Sequence, residues 1–414
     1  MSAPLRLLPR DGRLLFVARS VRLFAYGALS VVLVIYLTSL GLTPARTGTL
    51  LTLILAGDVV VSLYLTTRAD RFGRRRTLIA GAVLMVIAGV VFALTKDFTL
   101  LVIAGTIGVI SPTGHEVGPF LPVEQAALTQ LLPDDARTSV FAWYQLVGAG
   151  ATALGSLAGG FLAELAPAPA AATTAYRSVI LLYAALGVLL VIMFARLSPA
   201  IEVETSSRRA LTGWGITRSG VVVARLSALF ALDSFGGGFV VQSFVAYWFH
   251  VRFGVEPQML GAIFFGANLF AGISALLATR LASRIGLVNT MVFTHLPSNV
   301  LLILVPLMPT LPLAIAVLLL RFSISQMDVP IRQSYVMAVV GPEERSAAAG
   351  ITGVAKTVGA AVAPVLAGAL YARPSLMAAP FFVAGGLKIV YDLLLYRGFV
   401  THRPPEEQGR QAGL

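Results

Sequence analysis

Three aspartates, Asp58, Asp233 and Asp328, lie within long apolar stretches of the chain. An ionisable side chain in hydrocarbon costs about 3 kcal/mol on insertion scales and is a functional candidate by default. A carboxyl group that has lost its water takes up a proton more readily, so it can bind a proton from one side of a membrane and release it to the other. We therefore expect these three acids, together with Glu116, to carry protons. For each one, a structural ion pair with an intramembrane base is the alternative.

A second unusual feature is the segment 111–125, which reads Ser-Pro-Thr-Gly-His-Glu-Val-Gly-Pro-Phe-Leu-Pro-Val-Glu-Gln. Its prolines and glycines disrupt helical hydrogen bonding, which a membrane tolerates only beside protein or a water-filled cavity. The segment 325–333, Ser-Gln-Met-Asp-Val-Pro-Ile-Arg-Gln, is its counterpart in the second half, with one proline among polar and charged residues. Interrupted helices at equivalent places are the best sequence indication of a central binding site in a membrane protein.

Other polar residues at membrane depth could line a central cavity. These candidates are Tyr26, His115, Glu124, Gln125, Gln242, Asn268, Arg321, Arg332 and Gln333. Glu124 and Arg332 occupy equivalent places in the two segments, so we expect them to face each other across the cavity as an inner gate, paired when the protein faces outward and separated when it faces inward. The alternative is that each pairs within its own half, for example Glu124 with Arg22. Lys388 and Asp392 are one helical turn apart and are expected to pair. We predict no metal and no cofactor.

The elements that position these residues are membrane-spanning helices. Hydrophobic residues make up 57% of the 414 residues and charged residues only 12%, against roughly 25% charged in a soluble domain. A spanning helix needs about 20 mainly apolar residues. Such segments are predicted at 15–40, 46–67, 77–95, 99–131, 138–165, 177–196, 221–249, 258–281, 290–308, 311–340, 346–372 and 379–397. The predicted fold is all-α, with twelve transmembrane helices in two pseudo-symmetric six-helix bundles.

The bundles are predicted at 1–196 and 221–400, with a cytoplasmic linker at 197–220 and a cytoplasmic tail at 401–414. An inside N-terminus places about twenty arginines on inner segments, as the positive-inside rule requires. Only Arg46, Lys96, Arg177, Arg252 and Arg373 then lie outside. This topology accounts for the net charge of +12 without nucleic-acid binding. The absence of cysteine excludes disulfides and thiolate sites.

The two halves resemble each other in sequence. Residues 66–77, TTRADRFGRRRT, align with 279–290, TRLASRIGLVNT, through a shared Ala, Arg, Gly and Thr. A second ungapped match runs from Pro122 with Pro330 to Gly160 with Gly368. Both matches fall at the same place within their six-helix half, which indicates an internal structural repeat.

The loop 70–76, Asp-Arg-Phe-Gly-Arg-Arg-Arg, resembles the signature loop of the major facilitator superfamily, although Thr66 stands where that family has glycine. The resemblance covers essentially the full length. It implies that Asp70 caps a helix of the opposite half and that a charged gating loop is formed by Asp70, Arg71, Gly73, Arg74 and Arg75. It also implies that helices 1, 4, 7 and 10 line the cavity. Positive-inside topology is the simpler explanation for the arginines.

A second family pattern, Gly-Pro followed by Gly-Gly on helix 5 and linked to antiport, is incomplete here. The chain has Gly155-Ser156 and then Gly159-Gly160, while Ala363-Pro364 holds the equivalent place on helix 11. Close helix packing is sufficient to explain the small residues. Segments 122–137 and 326–345 also suggest a bacterial, efflux-like branch of the superfamily.

We expect a secondary transporter of the cell inner membrane that exports a small organic molecule in exchange for protons. Its expected partners are a small-molecule substrate, protons and the lipid bilayer, with no nucleic acid, and the chain is taken as a monomer. A first alternative is an inorganic or metalloid anion as substrate, served by Arg321, Arg332 and Lys356. Another class is a membrane-embedded enzyme or a non-transporting sensor. We expect no enzyme, because the intramembrane acids are spread over helices 2, 4, 7 and 10.

Overall fold

The computed structural model describes residues 8–132, 134–165, 172–202, 219–341 and 344–400. The side chains of 134–139, 279 and 346 are outside this description. The predicted tail 401–414 and most of the predicted linker 197–220 also fall outside it.

The described chain is built of α-helices joined by short connections. The helices are α1 Arg10–Ser39, α2 Pro44–Phe72, α3 Arg74–Leu94, α4 Phe98–Ile107, α5 Phe120–Leu131, α6 Asp134–Glu164, α7 Ala172–Ala195, α8 Gly220–Gly238, α9 Gln242–Phe253, α10 Pro257–Ile285, α11 Leu287–Leu304, α12 Leu311–Phe322, α13 Asp328–Val339, α14 Arg345–Tyr371 and α15 Ala379–Phe399. Ten continuous or nearly continuous stretches of the described residues are long and apolar enough to cross a membrane. The two remaining predicted spans are each divided into shorter helices, so the predicted twelve-helix fold is confirmed.

The fourth predicted membrane helix is interrupted, as its prolines and glycines indicated. Helix α4 ends at Ile107 and α5 begins at Phe120. Between them, Gly114 and Gly118 adopt φ values of +74° and +81°, which a residue with a side chain rarely takes. The freed backbone groups find local partners: the Ser111 hydroxyl donates to the carbonyl of His115 at 2.7 Å. Such compensation is what allows non-helical backbone at membrane depth.

The tenth predicted helix is interrupted in the same way, between Phe322 and Asp328. Pro330 lies in the first turn of α13, where a missing backbone N–H leaves no helical hydrogen bond unmade. The Gln326 N–H donates to the Ser274 hydroxyl at 3.3 Å. The prediction of paired interruptions is therefore confirmed.

The span predicted at 221–249 is confirmed as one apolar stretch, Gly220–Phe253, which the structure divides into α8 and α9. Three glycines, Gly236 to Gly238, end α8. A Cβ at Gly238 would lie 2.6 Å from the Ala360 carbonyl oxygen, so α8 and α14 approach backbone to backbone at this point. Glycine permits that approach but weakens the helix in which it lies.

The helices divide into two compact units of contacting residues, Met1–Arg208 with Val241–Asn268 and Arg209–Val240 with Leu269–Leu414. In the first unit, α1 is largely buried and packs against α6, α7 and α9. In the second unit, α8 packs against α14 and α15, and α11 packs against α15. The segment 241–268, which precedes and includes the start of α10, thus packs with helices of the first half of the chain.

Small residues explain the close contact of α1 with α6. A Cβ at Gly155 would lie 2.0 Å from the Phe24 carbonyl oxygen, and one at Gly159 would lie 2.5 Å from that of Ala28. Gly160 meets Gly261 of α10 equally closely, with its ideal Cβ 2.8 Å from the Gly261 Cα. Close packing is the structural role of these glycines, as proposed above.

We predict that Gly155→Ala lowers stability by about 2 kcal/mol, because its methyl group would push the two helix backbones apart. Gly150→Ala is a matched control on the same helix, since nothing lies within 4 Å of its ideal Cβ. The midpoint of thermal unfolding of the purified protein in detergent should fall for Gly155→Ala alone. Equal midpoints in the two variants would contradict the described packing.

Candidate functional site

The first unit contains a buried ion network on α1, formed by Arg19, Arg22, Glu116, Glu124 and Tyr144 and called here the α1 cluster. Arg22 binds the Glu124 carboxylate with both terminal nitrogens, at 2.6 and 2.7 Å. It also contacts Glu116 at 3.1 Å, and Arg19 lies 2.7 Å from the same carboxylate. The Tyr144 hydroxyl donates to Glu124 at 2.5 Å. Two arginines and two glutamates leave the cluster with no net charge.

Each member is positioned by its helix. Arg19 and Arg22 are three residues apart on α1 and therefore point to the same side. Glu116 lies in the interruption between α4 and α5, and Glu124 lies one turn into α5. Aromatic faces hold the guanidinium groups: Arg22 lies 4.5 Å from the Phe120 ring centroid. The interruption thus brings two acids from one predicted membrane helix to the same pair of arginines.

Asp58 on α2 lies beside this network but is held differently. Its Oδ1 atom accepts hydrogen bonds from the Gly118 N–H at 2.6 Å and from the Ser62 hydroxyl at 3.0 Å. Both donors are neutral, and no ion pair joins Asp58 to any described arginine, lysine or histidine. Asp58 is the acid of this region whose charge has no basic partner.

The second unit contains a larger buried network, called here the Asp233 cluster. Its members are Asp233, His295, Asp328, Arg332, Lys388 and Asp392. Asp233 on α8 accepts from Lys388 at 2.7 Å and from Arg332 at 3.0 Å. Arg332 also pairs with Asp328, one turn earlier on α13. The two carboxylates are therefore neutralised by bases from α13 and α15.

Histidine joins this cluster to a third acid. His295 Nδ1 lies 2.8 Å from Asp392 Oδ1, and its Nε2 lies 3.7 Å from Asp233 Oδ1. Asn299, one turn further along α11, donates to the other oxygen of Asp392 at 2.8 Å. The imidazole thus lies between two carboxylates and links Asp392 to Asp233.

Asp233, His295 and Asp328 place three possible metal-ligand atoms within 4.8 Å of one another. Arg332 and Lys388 already bind both oxygens of Asp233. A divalent cation would have to displace or lie against these two positive groups, so the chemistry of the donor set favours an ion-pair network over a metal site.

The residues of two predicted pairs are bound to other partners in the structure. Glu124 pairs with Arg22, which is the stated alternative, and Arg332 pairs with Asp233 and Asp328 of its own unit. The prediction that Lys388 pairs with Asp392 was wrong. Lys388 reaches Asp233 because α8 packs against α15, and Asp392 is bound by His295 and Asn299 from α11.

Two predicted cavity residues, Gln242 and Asn268, bind each other in the first unit. The Gln242 amide donates to Ser30 at 2.8 Å and to Ser156 at 3.3 Å, and Asn268 donates to Gln242 at 3.2 Å. These side chains hold α9 and α10 against α1 and α6. Tyr26 is fully buried, with its hydroxyl 3.3 Å from the Val117 carbonyl.

The remaining cavity candidates are more open. His115 and Gln333 are exposed, and Gln125 is half-buried. Arg321 is half-buried, and no carboxylate lies within 4.0 Å of it among the described residues.

In the predicted gating loop, Asp70 pairs with Arg74 on the next turn at 2.9 Å. Gly73 separates α2 from α3 with a φ of +100°, while Arg71 is exposed. The N-terminus of α3 is capped by Glu202, whose carboxylate accepts from the backbone N–H groups of Arg74 at 2.7 Å and Arg75 at 3.1 Å. A carboxylate at this position favours the helix dipole and satisfies free N–H groups.

Sequence reasoning missed His295, Asn299, Tyr144 and Glu202 as members of these networks. One signal was available for the first two: a histidine and an asparagine four residues apart within an apolar helix share one face. Glu202 and Tyr144 gave no such signal. Glu202 lies 128 residues from Arg74 in the sequence, and Tyr144 lies on the helix after that of Glu124, so only helix packing brings each pair together.

Interrupted apolar helices that hold matched charges in their interior are typical of multi-pass membrane transporters. The Major Facilitator Superfamily profile matches residues 15–327 and, in a second match, 253–414. The chain belongs to the major facilitator superfamily. This membership indicates a transporter of a small substrate and not an enzyme.

The curated relatives extend beyond bacteria. The chain is 31% identical over 418 residues to the uncharacterized membrane protein YJR124C of Saccharomyces cerevisiae, covering 93% of each chain. It is 26% identical over 134 residues to the quinolone resistance protein NorA of Staphylococcus aureus, covering 32% of this chain and 33% of NorA. Among solved structures, the nucleoside transporter NupG superposes with a TM-score of 0.76 at 14% identity, covering 94% of this chain and 99% of that chain. The likeness to NupG shows the fold alone.

We predict that Glu124→Gln lowers the free energy of unfolding by about 3 kcal/mol, because it leaves part of the Arg22 charge buried without its partner. Arg22→Gln should cost a similar amount, and the double variant should cost less than the two single effects added together. Chemical unfolding of the purified protein measures all three.

Asp70→Asn is the control for this experiment, since the Asp70 side chain is 62% exposed and such an ion pair is worth about 1 kcal/mol or less. Additive effects of Arg22→Gln and Glu124→Gln would contradict the pairing.

Proposed function

We propose that this protein is a secondary active transporter that exports a small organic molecule in exchange for protons. It lies in the cell inner membrane with both termini in the cytoplasm, as the distribution of arginines indicates. The observation that carries the proposal is the position of Asp58, an acid without a basic partner beside an interrupted helix.

Asp58 is suited to bind and release a proton because only one of its two carboxylate oxygens accepts the described hydrogen bonds. Both described hydrogen bonds end on Oδ1, from Gly118 and from Ser62. A proton on Oδ2 therefore breaks neither bond. The other candidate acids, Glu116, Asp233 and Asp328, are each bound by arginine or lysine, which favours the charged form of the carboxyl group.

The hydrogen bond from Gly118 couples the protonation of Asp58 to the α1 cluster. Gly118 and Glu116 belong to the same interruption between α4 and α5, and Glu116 is bound by Arg19 and Arg22 of α1. A hydrogen bond to a charged acceptor is roughly twice as strong as one to a neutral acceptor. Protonation of Asp58 therefore weakens the hold of α2 on this segment and frees the segment to move with α1.

The partial likeness to NorA supports export of an organic molecule, since NorA is a quinolone resistance protein. A second candidate function is transport of an inorganic or metalloid anion. It is favoured by Arg321 and Lys356, two basic side chains at membrane depth that have no acidic partner within 4.0 Å among the described residues.

We predict that Asp58→Asn lowers substrate-induced proton movement about tenfold or more, because asparagine has no proton to exchange. The test uses protein in liposomes that contain a pH-sensitive dye. The compounds tested as substrates are a fluorescent quinolone, ethidium, salicylate and uridine. Exchange of substrate between the two sides, which needs no net proton transfer, should persist in this variant.

Asp97→Asn is the matched control, since Asp97 caps α4 at its exposed end. Asp233→Asn and Asp328→Asn are expected to lower stability instead, because each leaves a buried base with fewer partners. Proton movement that persists in Asp58→Asn, Asp233→Asn and Asp328→Asn alike would defeat the proposal.

A further inference from the structure

The interruption between α4 and α5 is held by side chains from several helices of the first unit, because its freed backbone groups need partners. The Val109 carbonyl accepts a hydrogen bond from the Tyr183 hydroxyl of α7. The Val117 carbonyl accepts one from the Tyr26 hydroxyl of α1 at 3.3 Å. These two contacts fix both ends of the interruption against the rest of the unit.

A further partner comes from α9, a helix that follows α8 in the sequence but packs with the first unit. The Pro112 carbonyl accepts from the Ser243 hydroxyl at 2.6 Å and from the Ser243 backbone N–H at 3.2 Å. Ser243 is 0% exposed and lies in the first turn of α9, where a backbone N–H has no partner within the helix. The Pro112 carbonyl therefore caps the start of α9, and this contact is called here the Pro112 latch.

The same end of α9 meets the interruption at a second point. Gly114 has a φ of +74°, and a Cβ built on it would lie 2.9 Å from Ser30 Oγ and 3.5 Å from Gln242 Nε2. The Gln242 amide donates to the Ser30 hydroxyl at 2.8 Å. The backbone of Gly114 thus packs directly against the hydrogen bond that joins α1 to α9.

Hydrogen bonds within the interruption link the latch to the proton site. The Ser111 hydroxyl donates to the His115 carbonyl at 2.7 Å, and the His115 N–H donates to the Thr113 hydroxyl at 3.2 Å. Gly118, which donates to Asp58, follows three residues later. Because these internal bonds restrict the segment, a change in the hold on Gly118 alters the position of the carbonyl that is presented to α9.

Ionisable groups from three elements lie near Asp58: Glu116 in the interruption, Tyr26 on α1 and Tyr183 on α7. None of these groups supplies a positive charge, so a charged Asp58 depends on hydrogen-bond donors such as the Gly118 N–H. A hydrogen bond to a charged acceptor is roughly twice as strong as one to a neutral acceptor. Loss of the charge on Asp58 therefore loosens the interruption at Gly118.

We propose that the Pro112 latch couples protonation of Asp58 to the release of α9 from the interruption. The inference rests on the proposed transport function and adds Ser243 to it as a positioning residue. With Asp58 charged, Gly118 is held and the Pro112 carbonyl is fixed against the start of α9. With Asp58 neutral, the segment is held less firmly, so the latch opens more often.

The native chain contains no cysteine, so one introduced thiol reports the release of α9 without background. Ala246→Cys places that thiol on α9 at a position that is 0% exposed, and it leaves Ser243 unchanged. N-ethylmaleimide reaches a buried thiol only when the helix opens, so its reaction rate with the purified protein measures the open fraction. The reagent is uncharged, so a change of charge at Asp58 does not alter its local concentration.

We expect Asp58→Asn to raise the rate at Ala246→Cys about fivefold, because a neutral acceptor weakens the hold on Gly118. Ser243→Ala removes one hydrogen bond of the latch and should raise the rate by a similar factor. Both changes act on one segment, so together they should raise the rate by clearly less than the product of the two single effects. A role of Ser243 in packing alone would give the full product.

Ser62→Ala is the matched control, since Ser62 donates to the same oxygen of Asp58 but belongs to α2 itself. It should leave the rate at Ala246→Cys nearly unchanged. Ala93→Cys, on α3 and also 0% exposed, replaces the reporter in a second series and should react at one slow rate in every variant. An equal rise at both reporters would show general loosening of the fold and contradict the latch.

An unchanged rate at Ala246→Cys in the Asp58→Asn variant would overturn the proposal, and so would single effects that multiply in the double variant. If Ser243→Ala does not fold, the Asp58→Asn comparison decides alone. None of these readouts involves transport. Proton movement that is lost in Asp58→Asn without a change in thiol reactivity contradicts the latch alone. Proton movement that persists while thiol reactivity rises contradicts only the role of Asp58 as proton carrier.

Discussion

A charge within a bilayer must be compensated by an opposite charge, by hydrogen-bond donors or by water, and this constraint determines where the polar residues of this protein lie. The α1 cluster pairs two arginines with two glutamates, and the Asp233 cluster gives each buried carboxylate a base or a histidine. The groups left outside this pairing are few. Among the residues that the structure describes, Asp58 has only neutral donors, and no acid lies within 4.0 Å of Arg321 or Lys356. These exceptions carry the functional proposals because the acids and bases of the two described clusters are paired with one another.

The interrupted helices make the pairing possible. Glu116 and Glu124 are eight residues apart in the sequence. In a continuous helix, the helix geometry alone would fix the directions of their side chains. The non-helical segment before Phe120 instead brings both acids to Arg22. The same segment presents the Gly118 N–H to Asp58. Interruption therefore joins two properties that transport requires: polar groups at membrane depth and a segment able to change its conformation.

The signature loop shows how one motif can serve a local structural role. The resemblance implies that Asp70 caps a helix of the other half, and here Asp70 is bound by Arg74. The capping of α3 falls to Glu202, whose backbone carbonyl also accepts from Gln130. Arg74 in turn reaches Gln130 and the carbonyl of Ile201. The first residues after α7 are thereby fixed to the loop that joins α2 and α3.

The sequence by itself determined the membrane-spanning class, the number of spans and the interruptions near 111–125 and 325–333, because apolar length and helix-breaking residues act locally. It also indicated most of the intramembrane charges, since a polar residue in an apolar run is visible without a structure. Only the tertiary structure decided which acid binds which base. Lys388 with Asp233 and Asp392 with His295 are separated by 155 and 97 residues, so their pairing depends on helix packing that no local pattern encodes.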